Sequence, residues 1–260
     1  MPLPIHLVQM EACWEDKEAA FAKVRALVAA APPAPGSLLV LPEMFATGFS
    51  NRLEATREPV EGPTTVFLRQ LAAEWHCAVV GGLVVPGTEG LGCNQALALG
   101  PDGRELARYT KKHPFALGGE ALVHAPGSAS VLFDWGGLRL APLICYDLRF
   151  PEVAREAVAL GAEVLLYIAA WPSRRHQHWL TLLQARAIEN QAYVIGVNLC
   201  GEDPNFSYPG RSVVVDPQGV ILADAGSREG VLATLLEPEV VTEWRAQFPA
   251  VTEFLQSVRV

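Results

Sequence analysis

The sequence predicts an α/β protein built as a layered sandwich, and three observations carry that reading: near-continuous apolar runs, helical segments between them, and two hairpin turns. The runs IHLVQM (5–10), SLLVLPE (37–43), CAVVGGLVV (77–85), LRLAPLIC (138–145), EVLLYIAA (163–170) and YVIGVNLC (193–200) are rich in Val, Ile and Leu. They suit strands buried on both faces, where polar–apolar alternation has no cause to appear. Between them, DKEAAFAKVRALVAA (16–30), TTVFLRQLAAEW (64–75), PEVAREAVALG (151–161) and QHWLTLLQARAIENQ (177–191) read as helices. Pro151 suits the first turn of the third, and Gly161 can close it. PDG within 94–109 and PQG within 212–226 join short strands as hairpins, so the sheets are mixed. Two sheets face to face with helices outside is the expected arrangement. No composition shift, repeat or long linker marks a boundary, and APPAPGS (31–37) is only a stiff helix-to-strand turn; one domain over 1–260 is expected.

Composition narrows the function classes. With 260 residues, half of them apolar, the chain can bury about 75% of its unfolded surface. A net charge of −8 with no basic run argues against DNA or RNA. The opening MPLPIHLVQMEACWEDKEAAF has no basic stretch leading into an apolar one and reads as a first strand. No apolar run approaches the roughly 18 residues of a membrane span, so no membrane partner and a cytoplasmic location are expected. The cysteines Cys13, Cys77, Cys93, Cys145 and Cys200 are odd in number and form no CxxC pair, against a disulfide framework or a structural zinc.

Polar chemistry interrupts the apolar strands at three places. In LVLPEMFATGFS (39–50), Glu43 stands where a buried strand runs out, and ligand crevices form at the carboxyl ends of such strands. A carboxylate there can be a general base; a strand-ending glutamate reaching solvent gives the same local pattern. In ARYTKKHPFALGGE (107–120), Lys111, Lys112 and His113 precede a glycine-rich turn with Glu120. A lysine can hold a developing oxyanion, though paired lysines also mark solvated hairpin ends. His113 fits either the base of a papain-like Cys–His pair or a hydrogen-bonded turn histidine. In APLICYDLRFPEVAREA (141–157), Cys145 ends a strand just before a helix opening at Pro151. A sharp strand–turn–helix junction exposes a thiol and aims backbone N–H groups at it, and nearby positive charge raises thiolate character. The other four cysteines read as core packing. His176 and His178 read as a solvated helix start, and no metal is expected; Walker, GxGxxG and GxSxG signatures are missing.

Read in order, LPEMFATGF, YTKKHPF and ICYDLRFPE resemble the Glu, Lys and Cys motifs of the carbon-nitrogen hydrolase (nitrilase) superfamily. The likeness continues through QMEACWEDKEAAF, CNQALALGPDG and WPSRRHQHWLTLLQARAIENQAYVIGVN, and PEMFATGF, CYDLRFP and the WPSRRHQHW…ARAIENQAYV stretch resemble the bacterial omega-amidase-like branch. The resemblance implies a four-layer α-β-β-α sandwich of the nitrilase type, with Glu43 as general base, Lys111 on the oxyanion side, Cys145 as nucleophile and Glu120 as the second glutamate that positions the others. The K-x-H-x-F register selects Lys111 and turns Lys112 away. It further implies an oxyanion contact from the N–H of Tyr146, a Cys thioester, no cofactor, and a homodimer to which the apolar tail 243–260 can contribute.

The same branch implies the terminal carboxamide of 2-oxoglutaramate or 2-oxosuccinamate as substrate, its far carboxylate gripped by a cation. Arg175 in WPSRR is the candidate and Arg174 its rival, while Trp171 and Phe45 are candidate pocket walls. Alternatives that keep the same residues are nitrile, N-carbamoyl amine or deaminated glutathione hydrolysis; an inactive metabolite-binding relative is the non-enzyme reading. Three positions depart from the family pattern: Pro114 for leucine, Cys93 for an aromatic before Asn94, and Ala20 for asparagine. Pro114 constrains the loop behind Lys111 and bears on where that lysine sits.

Overall fold

A computed structural model of the protein describes residues 1–257. Its first five strands are β1 (Leu3–Gln9), β2 (Leu38–Val40), β3 (Ala78–Pro86), β4 (Gly92–Leu99) and β5 (Glu105–Thr110). Next come β6 (Phe133–Trp135), β7 (Leu138–Ile144), β8 (Val164–Ala169) and β9 (Tyr193–Asn198). The last are β10 (Cys200–Glu202), β11 (Ser207–Pro209), β12 (Val213–Val215), β13 (Ile221–Asp224) and β14 (Gly230–Leu236). Two six-stranded sheets result, ordered β14-β1-β2-β3-β4-β5 and β6-β7-β8-β9-β12-β13, with β10 and β11 as a separate ribbon.

Both sheets use the same succession of pairings. Starting from β14 in one and β6 in the other, an antiparallel pair is followed by two parallel and then two antiparallel pairs. The fold therefore repeats where the sequence does not, because connection geometry sets pairing order and unrelated side chains can satisfy it.

Strand β2 shows how the layers arise. Its side chains alternate across the sheet. Leu38 and Val40 enter the core between the two sheets, whereas Leu39 and Leu41 enter a second core with Phe21, Val24, Leu68 and Leu71. Those last four belong to α1 (Lys17–Ala30) and α3 (Pro63–Trp75), which cover the first sheet; between them lies the single turn α2 (Leu53–Thr56). Asp16 caps α1 by accepting the N–H of Ala19 at 3.0 Å, worth about 1 kcal/mol. Proline opens α3, where its missing N–H costs no helical hydrogen bond. Beyond the second sheet, α4 (Pro151–Ala159) and α5 (His176–Asn190) pack on each other, α5 lying on β9 and β12. The order helix, sheet, sheet, helix is the four-layer sandwich expected. After β14, α6 (Pro238–Gln247) and α7 (Ala250–Ser257) place Val241 and Val251 in the chain's own core, so part of the apolar tail is used within the fold; residues 258–260 of that tail lie outside the described residues. Among the described residues no helix is long and apolar enough to cross a membrane.

Candidate active site

Four strands deliver the polar groups just past their carboxyl ends. Glu43 follows β2, Lys111 follows β5, Cys145 follows β7, and the N–H of Ala170 follows β8. At Glu43 the chain turns sharply, with Met44 in the left-handed region at φ 47°. Glycine is required beneath that turn: a Cβ on Gly82 would stand 2.4 Å from the Met44 nitrogen and 2.7 Å from the Glu43 Cα.

Cys145 is also left-handed, at φ 45°, a conformation costing about 1–2 kcal/mol for a residue with a Cβ. Asp147 holds it there. Its fully buried carboxylate accepts the Ile144 N–H at 3.2 Å, the Tyr109 hydroxyl at 2.8 Å and the His113 N–H at 3.0 Å. Burial first, and then Asp147, pushes the Tyr109 hydroxyl well above the usual tyrosine range, so it stays a donor. The junction is a strand, a 3-10 turn over Cys145–Arg149, and only then α4 at Pro151. That turn leaves the N–H of Tyr146 without a turn carbonyl to bond, as at any helix start.

Lys111, Glu43 and Glu120 form one buried cluster. Lys111 Nζ lies 2.7 Å from Glu43 Oε1 and 2.7 Å from Glu120 Oε2. Asn94 Nδ2 donates to both glutamates at 2.8 Å, the N–H of Phe115 donates to Glu120 at 2.6 Å, and the N–H of Ala170 donates to Glu43 Oε2 at 2.9 Å. Burial alone lowers the ammonium's pKa, but Glu120 and Glu43 outweigh it, and Lys111 ends above its ordinary value. Burial alone raises Glu120; Lys111 and the hydrogen bonds from Asn94 and Phe115 prevail, and its carboxyl lies below the usual range. An ammonium has three donors, and two are spent on the glutamates. Among the described residues the third has no hydrogen-bond partner, and the ammonium lies 5.6 Å over the Phe49 ring.

The thiol departs from expectation. Cys145 is only 7% exposed, so the turn shields it. Burial, then the charge of Glu43, pushes its pKa well above the ordinary value against the opposing pull of Lys111. The expected gain in thiolate character is therefore reversed, since burial and the Glu43 charge together outweigh the ammonium. Attack requires a base at the moment of reaction, and Glu43 is the carboxylate that meets the sulfur.

Other expectations resolve as follows. Lys112 turns away to Glu156 at 2.6 Å and Ser130 at 3.1 Å. His113 stacks on Phe150 and its Nδ1 faces Asp147 at 3.1 Å, so it braces the cysteine turn. His178 Nδ1 meets Arg149 at 3.0 Å. Pro114 leaves Lys111 in place, because the Lys111 N–H bonds the Asn94 carbonyl at 2.9 Å and the Lys111 carbonyl accepts from the Gly127 N–H at 2.8 Å. Phe45 does not wall the pocket. It is fully buried beside Phe21 and Phe67 under α1 and α3, because the left-handed Met44 swings the next side chain into the outer core.

The pocket above Cys145 is lined by Phe49, Phe115, Tyr146, Trp171, Phe206, Arg149 and Arg175, among others. Trp171 and Arg175 are where the sequence placed them, and Arg174 is exposed outside. Asn198 fixes Trp171 by accepting its N–H at 2.7 Å and donating to its carbonyl at 3.1 Å. Arg149 lies 4.9 Å over the Trp171 ring and Arg175 5.1 Å over the Phe115 ring. Asn94, Phe49, Arg149 and Asn198 escaped the sequence reading. Asn94 carried a signal, a polar residue near the start of a strand that turns apolar after Gln95; Phe49 and Arg149 sit in loop and 3-10 segments where periodicity says nothing, and Asn198 ends a buried strand.

The carbon-nitrogen hydrolase family matches residues 5–246. The chain belongs to that family. This carbon-nitrogen hydrolase is 39% identical over 218 residues to the omega-amidase YafV of Escherichia coli (strain K12), covering 82% of each chain. It is 34% identical over 213 residues to the 2-oxoglutaramate amidase of Bacillus subtilis (strain 168), again covering 82% of each. Among solved structures it resembles a CN-hydrolase superfamily protein of Xanthomonas campestris with an arsenic adduct in the active site, at TM-score 0.91, 37% identity and 97% coverage of each chain. Membership makes it a hydrolase of carbon–nitrogen bonds, and the superfamily and branch expected from the sequence are borne out.

Proposed function

We propose that the protein is an omega-amidase that hydrolyses the terminal carboxamide of a small 2-oxo acid, 2-oxoglutaramate or 2-oxosuccinamate, with Cys145 as nucleophile, Glu43 as general base and acid, and Lys111 as oxyanion holder. The observation that carries the acid end is the pair Arg149 and Arg175. Both line the pocket, both lie over aromatic rings, and among the described residues neither is bonded to a carboxylate. A guanidinium pair without internal counter-ions favours an anionic substrate.

The chemistry follows from the cluster. Sulfur attacks the amide carbon while Glu43 takes the thiol proton, and the carbonyl oxygen gains charge between Lys111 Nζ and the N–H of Tyr146. Glu43 passes its proton to the amide nitrogen, the C–N bond breaks, and ammonia leaves a thioester on Cys145. Water then attacks the thioester, giving its proton to Glu43. The C–S bond breaks, the thiol is reprotonated, and a carboxylate departs. Glu120 and Asn94 never meet the substrate in this scheme; they hold Lys111 and Glu43 in position.

Ammonia release from 2-oxoglutaramate tests the proposal. Cys145→Ala is expected to abolish it, and Glu43→Gln to lower kcat by about 10²–10⁴-fold. Full activity in either variant overturns the mechanism. A panel of carboxamide, nitrile and N-carbamoyl substrates tests the substrate class, and a nitrile as the best source of ammonia removes the amidase assignment. Arg149→Ala and Arg175→Ala are each expected to cost about 10–100-fold in kcat/KM on 2-oxoglutaramate, the scale of a lost charged hydrogen bond, while sparing uncharged propionamide. Equal losses on both amides overturn the carboxylate anchor.

A further inference from the structure

One buried residue next to the cluster has no role in the scheme above. His124, four residues beyond Glu120, is 2% exposed, and among the described residues neither ring nitrogen makes a hydrogen bond of good geometry. Asn94 Oδ1 is likewise buried and unpartnered, although the other end of that amide serves both glutamates. Buried polar groups are almost always satisfied, so neighbouring exceptions call for one explanation.

The backbone brings them together. Gly92 forms a parallel bridge with His124, Gly92 N–H bonding the Val123 carbonyl and Ala125 N–H bonding the Gly92 carbonyl, each at 2.8 Å. A Cβ on Gly92 would sit 2.8 Å from Leu53 Cδ2, 2.9 Å from Val84 Cγ1 and 3.0 Å from His124 Cδ2, so the edge of the imidazole shares the side-chain face of Gly92 with two apolar side chains. Asn94, two residues along β4, projects from that same face. One strand repeat, about 7 Å, separates the two positions along that face. The N–H of His124 also donates to the Glu120 carbonyl at 2.9 Å, which ties the ring's backbone to the cluster.

We infer that His124 is a positioning residue for amide hydrolysis: through one buried water shared with Asn94 Oδ1, its imidazole fixes the amide that donates to Glu43 and Glu120. A neutral imidazole offers one donor, which suffices to reach the water. With Oδ1 anchored, the Asn94 amide cannot rotate its NH₂ away from the two carboxylates. The role rests on the amidase reading of the site, though on no particular amide.

The test is a double-mutant cycle on the full chain with any amide it turns over. His124→Phe keeps the ring volume and removes both nitrogens; kcat is expected to fall about tenfold with KM nearly unchanged, one hydrogen bond's worth of orientation. His124→Gln is expected to recover most of the loss. Asn94→Ala should lower kcat further, and adding His124→Phe to it should change nothing more. Multiplying effects in the double variant, or wild-type kcat in His124→Phe, overturn the inference. Should His124→Phe fail to fold, ¹⁵N spectra of the wild-type histidines decide: a single neutral tautomer with a slowly exchanging ring N–H supports the water link, and rapid ring N–H exchange overturns it. Failure of the catalytic scheme would show separately, as activity surviving Cys145→Ala.

Discussion

Burial and the Glu43 carboxylate together keep the Cys145 thiol protonated at rest, with Lys111 pulling weakly the other way. The sign gives a direct test. In Glu43→Gln the negative charge is gone while Lys111 and Glu120 remain, so the thiol pKa falls even as catalysis is lost. Thiolate absorbance near 240 nm as a function of pH, taken against Cys145→Ser, should show a lower midpoint in Glu43→Gln than in wild type; an unchanged or higher midpoint would mean that Glu43 does not act on the sulfur. Legibility at this scale followed motif register. Glu43, Lys111, Glu120 and Cys145 stand at fixed offsets from Phe, His and Pro residues that can be read as text, and the structure brings all four together. Phe45 misled because strand alternation does not pass through a left-handed residue: Met44 turns the chain, and Phe49 fills the wall instead. Arg149 was hidden inside the motif that revealed Cys145, since nothing in CYDLRFP tells which side chain faces the pocket.

Each element contributes its last residue or the turn beyond it, which explains why the strands were readable and their ends were not. The apolar runs at 78–86, 138–144, 164–169 and 193–198 are buried on both faces, and composition alone marks them. The turns after them depend on partners distant in sequence. Asp147 draws on Tyr109 and His113, and the turn at Glu43 rests on Gly82 of β3. Gly82→Ala isolates that dependence. The new Cβ collides with backbone on both sides of the Glu43–Met44 peptide, which has no flexible side chain to yield. The turn must shift by a sizeable fraction of an ångström, and misplacement on that scale costs about 10²-fold in rate. Loss of kcat, accompanied by a lowered melting temperature, is expected; a Gly82→Ala enzyme with wild-type kcat would show that the Glu43 turn tolerates displacement.

At the scale of the whole molecule, the strand ends hold an ion cluster whose three members are buried, and its charges couple catalysis to stability. Glu120 has its carboxyl lowered below the ordinary value, so its contribution is complete above the unfolded-state pKa, about 4.3, and is lost as pH falls through the folded value. Lys111 is raised, so its contribution is complete below the unfolded-state value, about 10.4, and is lost only as pH climbs through its folded value. Near neutrality both are fully present. Acid is therefore the side on which the cluster gives way first. Glu120→Gln removes one partner of a buried pair while Glu43 still balances Lys111, and the expected loss at pH 7 is about 3 kcal/mol. Below the unfolded-state value, about 4.3, the unfolded chain takes up the proton before the folded carboxylate does, so the gap between the two proteins must narrow as pH falls. Urea unfolding of both at pH 7, 5 and 3.5 measures it. A gap that stays constant across that range would mean that Glu120 stabilises the fold through shape and neutral hydrogen bonds, with its charge contributing nothing.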